Sequence, residues 1–97
     1  MVATPHIFRM NIERIIIKVL LEAGDAGLSM SKISRHVLNA VNTLFEQQDY
    51  DAVHSEVKKY IMKNTGTSYS LFERTERRGT YRLNKKSSEL AQLEIEF

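Results

Sequence analysis

Lys58, Lys59, Arg77 and Arg78 are the residues of this 97-residue chain whose types and spacing point to chemistry, and that chemistry is the binding of anions. Paired cations gain free energy by displacing the counterions condensed on a polyphosphate backbone. Other constellations lead nowhere comparable. His6, His36 and His54 have no spacing that sets two of them on one helix face, and without cysteine no thiolate can complete a zinc site. Ser29, Ser31 and Ser34 lie near His36, but serines gathered at a helix start read as caps rather than nucleophiles. Gly24, Gly27, Gly66 and Gly79 are scattered and each suits a turn, so no phosphate-cradling loop is present. The expectation is a protein that is not an enzyme, with no cofactor and no metal.

Lys58 and Lys59 must be positioned by a helix. Residues 52–64 carry Val53, Val57, Tyr60 and Ile61 on one broad face. The rotation of about 100° per residue then groups Ser55, Lys58, Lys59 and Met62 on the opposite side. Asp49 or Asp51 is placed to cap this helix, and Gly66 to stop it. Arg77 and Arg78 belong to SLFERTERRGTYRL, residues 70–83. Its period-2 spacing predicts two short strands around a loop at residues 75–79. Tyr69, Leu71 and Glu73 fall on one side of the first strand and Phe72 and Arg74 on the other, while Tyr81 and Leu83 share a side of the second. Gly79 supplies the positive φ a tight reversal needs.

Upstream, Asn11 is placed to cap a helix through about residue 23, with Glu13 in its first turn and Gly24 at its end. Ile12, Ile15, Ile16, Val19, Leu20 and Ala23 form its stripe, and Ile17 and Leu21 widen it, so this helix is expected to be covered on more than one side. Leu28 suits a single short strand. Ser31 then caps a second helix over residues 31–47, with Ile33, Val37, Val41 and Leu44 inward and Leu38 and Phe45 beside them. Lys32, Arg35, Asn39 and Asn42 face outward, and the asparagines leave a break near residues 39–42 conceivable. Residues 1–10 read as an N-terminal arm, 11–86 as one domain, and 87–97 as a tail. In that tail Ser87 or Ser88 suits a helix cap, while Leu93, Ile95 and Phe97 alternate with Glu94 and Glu96 as a docking edge strand would.

Composition sets the frame for these elements. A hydrophobic content of 42% in one short chain suits a single module folded by burial, in a reducing compartment such as the cytoplasm. The longest apolar-rich run, residues 15–21, is interrupted by Lys18 and is too short to span a bilayer, so no membrane association is expected. Net charge is +2, but it is segregated. Residues 1–30 sum to zero and 87–97 to −3, which leaves +5 on residues 31–86. Such segregation fits a surface that faces a polyanion.

Helix, short strand, two helices and a basic hairpin is the order of a winged helix-turn-helix domain. Within that group, IIIKVLLEAGDAGLSMSKISRHVL followed by SLFERTERRGTYRL resembles the HARE-HTH type, over residues 12–83. The shared features are a first helix ending in a Gly-containing turn, a Leu-Ser step into the second helix, and Phe-x-Arg followed by Arg-Gly-x-Tyr-x-Leu. One departure is the stretch 41–50, longer than the turn of a minimal helix-turn-helix. The resemblance implies an α+β fold, a three-helix bundle with a C-terminal two-stranded wing and a short third strand. It also implies contact with duplex DNA, the third helix entering the major groove and the wing lying on the backbone or in the adjacent minor groove.

On that basis Ser55, Lys58 and Lys59 would meet bases or phosphates, Arg74, Arg77 and Arg78 would serve the wing, and Lys32 and Arg35 would hold phosphates. Tyr60 and Tyr81 fall in phase with apolar neighbours and are expected in the core. The function implied is that of a small transcriptional regulator or accessory factor. Members of the type that bind proteins keep a second reading open, a winged helix devoted to a protein partner, or to a homodimer through the apolar tail or Leu44 and Phe45.

Overall fold

The computed structural model describes residues 6–44 and 48–87, in which three helices pack against a small antiparallel sheet. The order is α1 (His6–Ala23), β1 (Leu28–Ser29), α2 (Met30–Leu44), α3 (Tyr50–Lys63), β2 (Phe72–Arg74) and β3 (Thr80–Leu83). The class is therefore α+β, with the short third strand at Leu28.

The first helix differs from expectation at both its start and its face. It begins at His6, so Asn11 is not its N-cap and Glu13 is not in its first turn. The backbone of residues 6–10 is helical and does not form an irregular arm. Ile12, Ile16, Ile17 and Leu20 are the buried residues, whereas Ile15 is only partly covered and Leu21 is exposed. The reason is that α2, α3 and β3 all pack on one side of the helix, centred on Ile16.

The second helix is capped by Ser29, whose Oγ accepts the Lys32 amide N–H at 3.3 Å, and not by Ser31. It runs unbroken past Asn39 and Asn42 to Leu44. Asn42 Oδ1 instead accepts the Gln48 amide N–H at 2.8 Å, tying the connection to α3 back onto α2. Residues 45–47 lie outside the described residues, and with them the part assigned to Phe45. Asp49 caps α3, its Oδ1 accepting the Ala52 N–H at 2.7 Å. Ile33, Val37 and Val41 of α2 meet Val53, Val57 and Ile61 of α3 in the core. Full burial of each such side chain contributes about 1.5–3 kcal/mol.

Strand order in the sheet is β1-β3-β2. Leu28 pairs with Tyr81 and Ser29 with Thr80 on one edge of β3, and Phe72 pairs with Leu83, Glu73 with Arg82 and Arg74 with Tyr81 on the other. Both Leu71 and Phe72 are buried, because Leu71 precedes the paired strand and escapes its alternation. Tyr69, expected beside Leu71, lies outside β2 and is 75% exposed. Gly27 makes the β1–β3 approach feasible: its φ is +68°, and a Cβ there would overlap the Tyr81 carbonyl.

Asn84 is not part of a linker. It is 2% exposed, and its Nδ2 donates to the carbonyls of Ser68 and Ser70, each at 2.8 Å. Its Oδ1 accepts the Lys86 N–H at 3.1 Å, and Ser87 is buried behind it. The proposed tail helix and edge strand, from Ser88 onward, lie outside the described residues.

Candidate nucleic-acid interface

The hairpin loop holds Arg77 and Arg78 in a compact frame. The Thr75 N–H donates to the Thr80 carbonyl at 2.9 Å, the Thr80 N–H to the Arg77 carbonyl at 3.1 Å, and Thr75 Oγ1 accepts the Arg77 N–H at 3.1 Å. Gly79 closes the loop at a φ of +75°. Both arginine side chains are exposed. The tip is also tied to the helical body, since the Met30 N–H donates to the Gly79 carbonyl at 3.2 Å. That bond brings the loop against the first turn of α2, where Lys32 stands exposed.

Arg74 extends the cationic surface from the root of the hairpin. Its guanidinium carbon lies 6.0 Å from the centroid of the Tyr81 ring, within the range of a cation–π contact. The Tyr81 ring is buried, and its hydroxyl donates to Met62 Sδ at 3.7 Å. Met62 belongs to the outward face of α3 with Ser55, Lys58 and Lys59, so Tyr81 links that face to the hairpin.

Lys58 and Lys59 are both exposed but serve different surroundings. Lys59 lines a cleft of about 310 Å³ between α1 and α3 together with Glu13, Glu56 and Lys63. Carboxylates and ammonium groups thus share that cleft, and Lys58 is not part of it.

Arg35 reaches back to the start of α3. Its guanidinium carbon stands 5.4 Å from the Tyr50 ring centroid. Tyr50 stacks on His54 at 5.3 Å and an interplanar angle of 17°. His54 Nδ1 is 2.7 Å from Ser34 Oγ, and Ser34 donates to the Met30 carbonyl at 2.9 Å. A fully buried serine with its proton so committed is not an exposed nucleophile. The column Arg35, Tyr50, His54 and Ser34 escaped the sequence reading, although the i, i+4 spacing of Tyr50 and His54 on one helix face was a legible signal.

The remaining hairpin arginine is committed elsewhere. Arg82 Nε donates to Glu73 at 2.8 Å, with Glu76 at 4.0 Å and the Asp25 carbonyl 3.2 Å from Nη1. The bond to Glu73 raises the guanidinium pKa above its ordinary value. Lys85 pairs with Asp25 at 3.2 Å. By contrast, Lys32, Arg35, Lys58, Lys59, Arg74, Arg77 and Arg78 form no ion pair among the described residues. The cations thus divide into a neutralised set around Asp25 and Glu73 and an unneutralised set on α2, α3 and the hairpin.

Among the described residues no helix is long and apolar enough to cross a membrane. Compared with protein-family models, curated proteins and solved structures, the chain shows no significant match.

Proposed function

We propose that the chain is a winged helix-turn-helix domain of the HARE-HTH type that binds duplex DNA, as a small transcriptional regulator or accessory factor. The observation that carries this reading is the division of the cations. All seven cations expected at the interface, Lys32, Arg35, Lys58, Lys59, Arg74, Arg77 and Arg78, form no ion pair among the described residues. Unneutralised cations on three neighbouring elements make the kind of surface that releases phosphate counterions. In this reading α3 enters the major groove with Ser55, Lys58 and Lys59 leading, Lys59 from the rim of the cleft it shares with Glu13 and Glu56. Arg77 and Arg78 meet the backbone or the minor groove, and Lys32 and Arg35 hold phosphates that fix the register.

A second reading, a module for a protein partner, draws on Tyr69, an aromatic side chain 75% exposed on a turn fixed by Asn84. One experiment separates the two. Fluorescence anisotropy of a mixed-sequence labelled duplex is measured for the wild type and an Arg77→Ala/Arg78→Ala double variant. Two salt concentrations, about 50 and about 200 mM, bracket the range where counterion release dominates. DNA binding predicts a steep loss of affinity with salt, and a log–log slope shallower by about two in the double variant. Absence of wild-type binding at the lower salt overturns the DNA reading and favours the protein partner.

A further inference from the structure

We propose that Met62 reads thymine, covering its C5-methyl group in the major groove. The inference rests on the DNA-binding reading above and adds to it the base that the third helix selects.

Met62 is 45% exposed, and it is the only large apolar side chain of α3 so exposed among the described residues. The other large hydrophobics left open, Leu21 and Tyr69, lie on α1 and on the turn before β2. Around Met62 the outward face of α3 is polar, with Ser55 and Lys59 to one side and Lys58 to the other. A protein hot spot is enclosed by further apolar surface that excludes water. A single apolar side chain ringed by cations has a different complement. Phosphates drawn to Lys58 and Arg74 would flank a groove, and Met62 would face its floor.

What Met62 can recognise there follows from the groove's chemistry. Guanine, adenine and cytosine present hydrogen-bond donors and acceptors, and only thymine adds a methyl group. A thioether offers apolar surface and no donor, so it discriminates by covering that methyl. The side chain is also held for the purpose. Its Sδ accepts the Tyr81 hydroxyl at 3.7 Å, and Tyr81 is buried in the central strand of the sheet under Arg74. Methionine is ordinarily flexible, and this contact restricts where the sulfur lies.

The test begins with selection of preferred duplexes from a random pool by the wild-type protein. Each selected duplex is then rebuilt with deoxyuridine in place of thymidine, which removes the methyl and leaves every phosphate and hydrogen-bonding group unchanged. Wild-type affinity is expected to fall about four-fold for each methyl covered, the effect of burying one such group. Met62→Gln should bind the two duplexes equally, and Met62→Leu should keep the preference for thymidine. The double variant Arg77→Ala/Arg78→Ala should bind both more weakly with the preference intact. Circular dichroism confirms that each variant is folded. Equal wild-type affinity for the two duplexes, or selection of no preferred sequence, overturns the role of Met62 and leaves DNA binding standing. No duplex binding at all overturns both.

Discussion

Ser34 Oγ and His54 Nδ1 lie 2.7 Å apart across the α2–α3 interface, and the serine proton is already given to the Met30 carbonyl at 2.9 Å. Tyr50 Oη lies 3.4 Å from the same Nδ1, so serine, histidine and tyrosine form one cluster at the start of α3. The cluster holds the His54 ring against that of Tyr50, which stacks on it. Ser34→Ala removes the shorter of the two contacts to Nδ1 and leaves the Tyr50 hydroxyl in place. A loss of about 0.5–1.5 kcal/mol in stability is expected, the net contribution of one hydrogen bond. Urea denaturation of the variant beside the wild type measures it, and unchanged stability would show the bond to be incidental.

Tyr50 carries the guanidinium of Arg35 on its face. Replacing Tyr50 with leucine keeps apolar bulk but removes the cation–π surface, a contact contributing about 0.5–1 kcal/mol at exposed sites. On the DNA reading, duplex affinity should fall by about two- to five-fold, the same factor in equilibrium terms. Arg35→Ala should fall at least as far, and the two changes together no further than Arg35→Ala alone. Additive losses in anisotropy titrations would show that Tyr50 does not act through Arg35.

Gly24 and Gly27 share a φ of +68°, but only Gly27 has backbone where a Cβ would go. Gly24→Ala is expected to cost about 1–2 kcal/mol, the penalty of the left-handed region for an L residue. Gly27→Ala adds displacement of β1 from β3 and should cost about 3 kcal/mol or more, within the class of steric backbone effects. Thermal unfolding of the two variants side by side separates conformational preference from overlap. Equal losses would mean that the sheet yields at no cost.

Asn84 donates two hydrogen bonds and accepts one. Aspartate has nearly the same shape but only accepts, so Asn84→Asp would oppose a carboxylate to two carbonyl oxygens. It should therefore destabilise more than Asn84→Ala, by about 1 kcal/mol or more beyond the alanine loss of about 2–4 kcal/mol. Limited proteolysis should also cut sooner within residues 65–71 in both variants. Aspartate no worse than alanine would mean that the carbonyls find other donors.

The fold was legible where a pattern is local and repeated. Val53, Val57 and Ile61 repeat at helical spacing, so α3 follows from the residues, while the choice of Asp49 over Asp51 as its cap came from the structure. The loop at residues 75–79 was equally clear, because a glycine sits between two short apolar runs. What local pattern cannot carry is which side of an all-apolar helix meets the rest. Ile17 and Leu21 look alike in sequence, and only the packing of α2, α3 and β3 on α1 separates the buried one from the exposed one. Polar residues with distant partners were illegible for the same reason. Nothing adjacent to Asn84 reveals Ser68 and Ser70, and nothing near Ser34 reveals His54 twenty positions on. The candidate cations could be named from the sequence. Their division into neutralised and unneutralised sets required the positions of Asp25 and Glu73.

Among the described residues, the order β1-β3-β2 makes the last strand the middle one of the sheet. Until Tyr81 and its neighbours leave the ribosome, Leu28 and Phe72 have no strand to pair with, so the two outer strands wait for the inner one. Helices α1, α2 and α3 precede it and can meet through contacts that are closer in sequence. Sheet closure is then a late event joined to sites more than fifty residues apart, the kind of long-range contact that slows folding. During synthesis the chain passes through a stage with its helices assembled and two strand edges bare, and in that interval pairing with a second nascent copy competes with completion of the fold.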